Sequence, residues 1–269
     1  MRTSDTAQPT RLRRSGNEQG QALLLIHGWA QDQRIFDELR MALNAEFDIY
    51  SYDRPGYGAS SLAPNLAQEH LDAAQLVAEI GREKVIILGF SQGARIATRF
   101  ASQAPANVQK LIICGGVMDG FIAESIDHHA IDLQHFKSLA LAGEITALRR
   151  EWLQHPYCCL GMDAQAKAHL SAITEHYYAN DLTIEAGHNF TFDENVYAQL
   201  VKAQIPTLFI NGEYEAPPRI ELAHQYISRS STHRSVVVPG AGHMALSLIH
   251  ISEPTRQAEI SYAVFCLKK

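Results

Sequence analysis

Short, mostly apolar runs recur along this chain, and they constrain its fold more than any other feature. The runs are Ala22–Ile26, Phe47–Tyr52, Val85–Leu88, Lys110–Cys114, Thr207–Ile210 and Ser235–Val238. Runs of this length are typical of strands buried on both faces, as in parallel sheets. Stretches with helical spacing separate several of them, for example Arg34–Asn44 and Leu66–Ile80. The pattern predicts an α/β fold with a mostly parallel central sheet and helices on both faces.

The alternation of strands and helices breaks after about Val117 and resumes at Thr207. We therefore predict one core, formed by residues 1–117 and 193–245, with a helical cap inserted at residues 118–192. Such a cap would cover the carboxyl ends of the strands, where open α/β sheets bind ligands. Its aromatic residues either line an apolar pocket or pack the cap on the core. They are Phe121, Phe136, Trp152, Tyr157, Tyr177, Tyr178, Phe190 and Phe192.

Composition narrows the classes of function. The 269 residues are 46% hydrophobic, which suits one globular domain with a full core and an insertion. A net charge of −6 argues against a nucleic-acid partner and against an anionic membrane surface. We see no bilayer-spanning apolar segment and no signal peptide, and the cysteines have no metal-ligand spacing. These features predict a cytoplasmic protein with reduced thiols at Cys114, Cys158, Cys159 and Cys266.

A G-x-S-x-G pattern, Gly89–Gly93, lies between the run Val85–Leu88 and the helical stretch Ala94–Ala104. A strand, this pattern and a helix in this order are typical of a nucleophile elbow. The turn is so sharp that side chains beside Ser91 would collide, and glycines on both sides remove them. The same five residues also occur in ordinary loops, so a catalytic serine needs a base and an acid as further support.

Candidates for the base and the acid follow the later strands. His243 lies in a glycine-rich loop after the last predicted strand, where it could reach over the sheet edge; an ordinary loop histidine is the alternative. Two carboxylates follow the strand Thr207–Ile210, and Glu215 is favoured because it lies further beyond the strand end. Asp119, after the preceding strand, and Glu213 remain alternatives, although we expect Glu213 to brace its loop. The order serine, acid, histidine is the one found on this kind of sheet.

These residues resemble the α/β-hydrolase superfamily, in its capped esterase, lactonase and carbon–carbon hydrolase branch. The matching segments are His27–Trp29, Asp53–Ser60, Gly89–Gly93, Asn211–Glu215 and Gly242–His243. The resemblance implies a triad of Ser91, Glu215 and His243. It also implies an oxyanion hole formed by the backbone N–H groups of Trp29 and Gln92. The chain departs from many members of the superfamily at Glu215, where they have aspartate.

The resemblance and the residues together predict a serine hydrolase that cleaves small or medium carboxylic esters, lactones or thioesters through an acyl-enzyme. Its partner would be a small-molecule acyl substrate, and the mechanism requires no metal and no organic cofactor. Two alternatives use the same triad, a carbon–carbon bond hydrolase and a cofactor-free perhydrolase. A further alternative, from another class, is a non-catalytic ligand sensor on the same fold.

The C-terminal stretch 246–269 does not fit this pattern. It begins LSLIHISEPTR and resembles the translation of a sequencing-library adaptor. We therefore expect residues 246–269 to be a non-native tail that packs poorly on the sheet. The resemblance to the α/β-hydrolases implies a helix in this place. The alternative is a genuine C-terminal helix and strand.

Overall fold

A computed structural model describes residues 12–188 and 192–248 of the chain. The strands are β1 (Arg13–Gly16), β2 (Gln21–Ile26), β3 (Phe47–Ser51), β4 (Val85–Phe90), β5 (Val108–Cys114), β6 (Thr207–Gly212) and β7 (Arg234–Val238). They form one sheet in the order β1-β3-β2-β4-β5-β6-β7. All neighbouring pairs are parallel except β1 and β3, which are antiparallel. The predicted mostly parallel sheet is confirmed.

The helices connect these strands and cover the sheet. They are α1 (Asp37–Leu43), α2 (Glu69–Ile80), α3 (Gln92–Gln103), α4 (Leu133–Leu141), α5 (Ile145–Gln154), α6 (Pro156–Cys159), α7 (Ala164–Thr174), α8 (Asn180–Thr183), α9 (Val196–Ala203) and α10 (Pro217–Ile227). Short 3₁₀ helices span Gln33–Phe36, Pro105–Asn107 and Ala245–Leu248. The stretch predicted as one helix over Arg34–Asn44 is therefore a 3₁₀ turn followed by α1.

The sheet topology explains why the predicted site residues can meet. The chain moves outward from β2 to β3 and then returns to place β4 on the other side of β2. The adjacent carboxyl ends of β2 and β4 form a topological switch point, which is where open α/β sheets bind ligands. His27 and Trp29 follow β2, and Ser91 follows β4. Two distant segments of the sequence thus meet at one place on the sheet edge.

Two clusters of buried apolar side chains hold the helices on the sheet. One joins the residues of α2, α3, α9 and α10 to one face. The other joins α1 and the helices α4 to α8 to the other face and to Trp29. A buried carboxylate reinforces this second cluster, because Asp181 of α8 accepts hydrogen bonds from Trp29 Nε1 at 2.8 Å and from the Tyr177 hydroxyl at 2.7 Å.

The helices α4 to α8 all lie within residues 118–192, the segment that we call the cap. Its boundaries stay a prediction, as does the division of the core around it. Of the expected tail, Leu246 is buried and residues 249–269 lie outside the described part of the chain. Among residues 12–188 and 192–248, no helix is both long enough and apolar enough to cross a bilayer.

Candidate active site

Ser91 has a strained backbone at the turn between β4 and α3. Its φ is 53° and its ψ is −118°, a conformation that a residue with a side chain rarely adopts and that costs about 1–3 kcal/mol. A hydrogen bond of 2.8 Å from its N–H to the Cys114 carbonyl ties the turn to β5. A Cβ on Gly93 would lie 2.2 Å from the Ile26 carbonyl oxygen, and one on Gly89 would lie 2.4 Å from Ala94 Cα. The flanking glycines are thus needed for close packing.

Ser91, His243 and Glu215 form a continuous hydrogen-bonded chain. His243 Nε2 lies 2.9 Å from Ser91 Oγ, and His243 Nδ1 lies 2.8 Å from Glu215 Oε2. A carboxylate can only accept a hydrogen bond, so Nδ1 carries the proton and Nε2 is free to accept from the serine hydroxyl. His243 is 3% exposed and the Glu215 side chain is fully buried. This arrangement can remove a proton from Ser91 when the hydroxyl attacks an electrophile.

The surroundings of Glu215 keep it ionised despite its burial. Burial alone would raise the pKa of Glu215, but the charge and hydrogen bond of His243, the nearby Arg219 guanidinium and the Ala216 N–H together lower it. Arg219 Nη1 lies 3.6 Å from Glu215 Oε1, and the Ala216 N–H donates to the same oxygen at 2.9 Å. Glu215 is therefore a carboxylate across the neutral pH range.

The two alternative acids lie in other interactions. Asp119 is buried between two arginines of α3, with its oxygens 3.0 Å from Arg95 Nε and 3.3 Å from Arg99 Nε. Glu213 accepts a hydrogen bond of 2.7 Å from the Gly240 N–H and so connects its loop to the loop that carries His243. Of the three carboxylates considered from the sequence, Glu215 is the one within hydrogen-bond distance of His243.

Gly115 makes room for the acid and the histidine, a role that the sequence analysis missed. It follows β5 with a φ of 54°. A Cβ at this position would lie 2.8 Å from Glu215 Oε2 and 2.9 Å from the His243 ring. The side-chain pair therefore packs against bare backbone, which only glycine provides.

Trp29 and Gln92, the residues predicted for the oxyanion hole, both lie beside Ser91. Gln92 follows Ser91 and opens α3, so its N–H is among the first-turn donors that have no partner within the helix. Gly28, next to Trp29, lies against the elbow, since a Cβ on it would be 3.1 Å from Ser91 Cβ. The backbone N–H groups of both residues belong to the segments that surround the serine.

A buried arginine from the matching segment Asp53–Ser60 organises the segments that carry Trp29 and Gln92. Arg54 is fully buried, and its guanidinium donates to the carbonyls of His27 at 3.2 Å and Gly28 at 3.1 Å. It also donates to Gln92 Oε1 at 2.7 Å, and Glu69 neutralises it through contacts of 2.6 and 3.1 Å.

His27 adds to this arrangement from the other side. Its Nε2 accepts the Arg54 N–H at 3.0 Å, and its Nδ1 therefore carries the proton, 2.9 Å from the Gly28 carbonyl. Burial, and then the charge of Arg54, lowers the pKa of His27 well below its usual range, so it stays neutral. The Gly28 carbonyl is held by two donors. Because a trans peptide points its C=O and N–H in opposite directions, the Trp29 N–H faces away from Arg54.

The cap aromatics divide into three groups. Phe136, Trp152 and Tyr177 pack on the Trp29 ring, at centroid distances of 5.4, 4.6 and 5.8 Å. Tyr157 lies on the His243 ring at 4.6 Å. The remaining residues lie elsewhere or are not described: Phe121 packs on Tyr197, Tyr178 and Phe192 are exposed, and Phe190 lies outside the described residues. Packing of the cap on the core is thus the role of the first group.

Two other kinds of reactive site were considered from the sequence, a metal site and reactive thiols. Among the residues that the structure describes, no group of three or more His, Cys, Asp and Glu side chains could hold a metal ion. Cys114, Cys158 and Cys159 are free cysteines. Burial raises the pKa of the Cys114 and Cys158 thiols well above their usual range, so both stay protonated at neutral pH.

Known proteins resemble this chain in sequence and in structure. A pimeloyl-[acyl-carrier protein] methyl ester esterase of Vibrio parahaemolyticus is 24% identical over 221 residues, which are 76% of this chain and 80% of the relative. A structure from a study of carboxylesterases of Nitrososphaera gargenis superposes with a TM-score of 0.74 at 17% identity, covering 96% of this chain and 94% of the other. A bromoperoxidase structure from Bacillus anthracis has the same TM-score and coverage at 21% identity. The profile of the alpha/beta hydrolase family matches residues 23–260, which confirms the predicted superfamily: the chain belongs to the alpha/beta hydrolase family.

Proposed function

We propose that this chain is a serine hydrolase that cleaves small or medium carboxylic esters, lactones or thioesters through an acyl-enzyme intermediate. The observation that carries the proposal is the relay from Ser91 Oγ through His243 to Glu215, with contacts of 2.9 and 2.8 Å, at a serine with a φ of 53°. A serine activated by a histidine that a buried carboxylate orients is the arrangement that acyl transfer requires.

The first half of the proposed reaction acylates the enzyme. Ser91 Oγ attacks the acyl carbon while its proton passes to His243 Nε2. The carbonyl oxygen becomes an oxyanion, which accepts hydrogen bonds from the Trp29 and Gln92 N–H groups. When the intermediate collapses, the bond to the leaving alcohol or thiol breaks and His243 returns its proton to that group. Glu215 holds the imidazole tautomer and stabilises its cationic form throughout.

The second half of the reaction releases the acid. Water takes the place of the leaving group, and His243 Nε2 removes one of its protons as the oxygen attacks the acyl-enzyme. Collapse of the second tetrahedral intermediate returns that proton to Ser91 Oγ and frees the carboxylic acid. The enzyme recovers its initial protonation state without a cofactor.

The relatives suggest where to begin with substrates. The similar Vibrio protein is named a methyl ester esterase, so methyl esters of medium-length acids belong in the first panel. Acetate, butyrate and octanoate esters of p-nitrophenol extend the panel and bound the acyl length.

Substitution of the serine provides the decisive experiment. Ser91→Ala should lower kcat/KM by about 10⁴-fold or more, since the nucleophile itself is lost, while the far-UV circular dichroism stays that of the wild type. Ser102→Ala is the matched control, because this serine lies near the far end of α3, the helix that follows Ser91, and its hydroxyl donates to the Arg99 carbonyl at 2.9 Å. Its activity should equal that of the wild type within twofold.

The outcomes separate the alternatives. Ester turnover that survives in Ser91→Ala within a few-fold of the wild type would refute the proposal. A wild-type chain that neither turns over any ester nor reacts with a fluorophosphonate at Ser91 would support the ligand sensor. Labelling at Ser91 without ester turnover would instead support a carbon–carbon bond hydrolase, and formation of a peracid that depends on hydrogen peroxide would support a perhydrolase.

A further inference from the structure

The acid of the relay is connected to a cation outside the Ser91–His243–Glu215 triad. Arg219 lies four residues after Glu215, in the first turns of α10, and its side chain is 12% exposed. Its Nη1 is 3.6 Å from Glu215 Oε1. The same oxygen is 3.1 Å from His243 Nδ1. The guanidinium, the carboxylate and the imidazole therefore contact one another in that order.

The same guanidinium also holds a residue of the cap. Arg219 Nη1 donates a hydrogen bond of 2.6 Å to the Tyr157 hydroxyl, and its Cζ lies 4.6 Å from the centre of the Tyr157 ring. The Tyr157 hydroxyl in turn donates to Asp127, whose carboxylate is 3.5 Å from Arg219 Nη1. The Tyr157 ring covers the His243 ring at a centroid distance of 4.6 Å and an angle of 31°.

Backbone packing joins the same two regions. A Cβ on Gly161 of the cap would lie 2.4 Å from the Gly240 carbonyl oxygen and 2.7 Å from the Gly242 nitrogen. One on Gly242 would lie 2.5 Å from the Leu160 carbonyl oxygen. The chain that follows α6 therefore packs closely, largely backbone against backbone, on the loop that carries His243.

We propose that Arg219 is a positioning residue that connects the cap to the acid and the histidine. It holds the Glu215 carboxylate in place, partly neutralises the negative charge of that carboxylate, and holds the Tyr157 ring against His243. The inference rests on the proposed function and deepens it, because it assigns to α10 and the cap a share in the orientation of the catalytic base. A glutamate side chain has one more rotatable bond than an aspartate side chain. A contact from Arg219, in addition to that from His243, therefore restricts more conformational freedom in Glu215 than it would in an aspartate.

The electrostatic consequence has a definite sign. A cation beside Glu215 opposes the field that the carboxylate exerts on the imidazole, so removal of the cation favours the protonated imidazole. The other titratable or charged groups that face Arg219, Glu215 and His243 belong to the elbow, to α3, to β5 and to the cap. They are Ser91, Arg95, Cys114, Asp127, His155 and Tyr157. Among them Asp127 acts on Arg219 from the opposite side, so its removal should have the reverse effect.

The test follows the titration of the His243 imidazole by ¹⁵N NMR and the pH dependence of kcat/KM for a p-nitrophenyl ester. In Arg219→Met, the midpoint of the imidazole titration and the acidic limb of the profile should both rise by about 0.5–1 pH unit. Arg219→Lys should cancel most of that shift and return both readouts close to their wild-type values, since it keeps the charge. Asp127→Asn should move both readouts downward by about 0.2–0.5 pH unit, a smaller shift because this carboxylate is partly solvated.

Arg150→Met is the control, because Arg150 is an exposed arginine of the cap. It should move neither readout. A merely structural Arg219 would lower the melting temperature of its variants and leave the imidazole titration where it is in the wild type; that result, or a downward shift in Arg219→Met, would overturn the inference. Failure of the proposed function has a different signature, since the wild type itself would then hydrolyse no ester while the NMR titration still reports on Arg219.

Discussion

Arg54 offers a way to separate the stability of the fold from the organisation of the active site. Its guanidinium is fully buried and makes five hydrogen bonds, two to Glu69 and one each to His27 O, Gly28 O and Gln92 Oε1. The Glu69 bonds neutralise the charge. The other three hold the two segments that carry the proposed oxyanion hole. A substitution of Arg54 should therefore disturb both stability and catalysis, and a second substitution should repair only one of them.

The magnitudes follow from burial. Arg54→Met leaves the Glu69 carboxylate, which is 1% exposed, without its cation, and breaking a buried pair in this way costs about 3–5 kcal/mol. The exposed pair of Arg13 and Asp37, at 2.6 Å, should lose only about 0–1 kcal/mol when Arg13 becomes Met. In Arg54→Met the Gly28 carbonyl loses one of its two donors and keeps His27 Nδ1, so the peptide that carries the Trp29 N–H is held less firmly. We expect kcat/KM to fall by about 100-fold, the lower end for loss of one oxyanion donor.

The double variant Arg54→Met/Glu69→Met is the sharper measurement. Replacing both members of a buried pair by apolar side chains removes the unpaired charge, so most of the lost unfolding free energy should return. The hydrogen bonds to His27, Gly28 and Gln92 do not return, and kcat/KM should stay about 100-fold below the wild type. Urea denaturation gives the stability and p-nitrophenyl acetate hydrolysis gives the activity. A double variant with kcat/KM within threefold of the wild type would show that Arg54 does not orient the Trp29 peptide.

Two further predictions concern the acid–histidine pair and the cap. Gly115→Ala should lower kcat/KM by at least about 100-fold, because its Cβ would lie 2.8–2.9 Å from Glu215 and His243. Gly143→Ala, at a φ of 75° with nothing within 4 Å of its Cβ, should carry the backbone strain without the clash and leave activity unchanged. Asp181→Asn should cost about 1–3 kcal/mol at pH 7 in urea denaturation. Burial alone would raise the pKa of Asp181, but its hydrogen bonds lower it, so its contribution is present above about pH 4 and is lost as the pH falls further. The gap between wild type and Asp181→Asn should therefore narrow at pH 3, and a gap that widens there would contradict the assignment.

The sequence predicted the parallel sheet and the positions of strands β2 to β7 because a strand buried on both faces leaves a compact apolar signature; the apolar runs did not include β1, which is mostly exposed. The run Val85–Leu88, for example, lies within β4, and Thr207–Ile210 lies within β6. It also predicted which residues would meet, since the carboxyl ends of parallel strands share one edge of the sheet. The sequence predicted helix boundaries less accurately. The helix α2 begins at Glu69 and not at Leu66, because helix propensity alone does not determine which residue forms the first helical turn.

The residues that the sequence analysis missed owe their roles to neighbours distant in the chain. Arg54 lies in a stretch whose proline and glycines predict a turn, and no local pattern indicates that its charge is buried on Glu69, 15 residues later. Arg219 lies in the first turn of α10, but Glu215 precedes the N-cap residue Ala216, so helical spacing alone does not indicate that the two residues meet. Gly115 follows a buried strand at the ligand-binding edge, and glycine there often marks a close approach of other groups. The cytoplasmic location, the domain boundaries and the lack of a nucleic-acid partner stay predictions.

Neither half of the proposed catalytic machinery is held by the core alone. A buried indole N–H needs an acceptor, and Trp29 finds it in the cap residue Asp181, which also receives the Tyr177 hydroxyl. On the other side of the serine, the cap residue Tyr157 covers the His243 ring and accepts from Arg219. Replacing this cap with one that lacks Asp181 and Tyr157 would therefore change the positions of Trp29 and His243 as well as the range of substrates. The cap is part of the framework that orients the serine, the histidine and the proposed oxyanion donors, because its contacts reach both sides of the site.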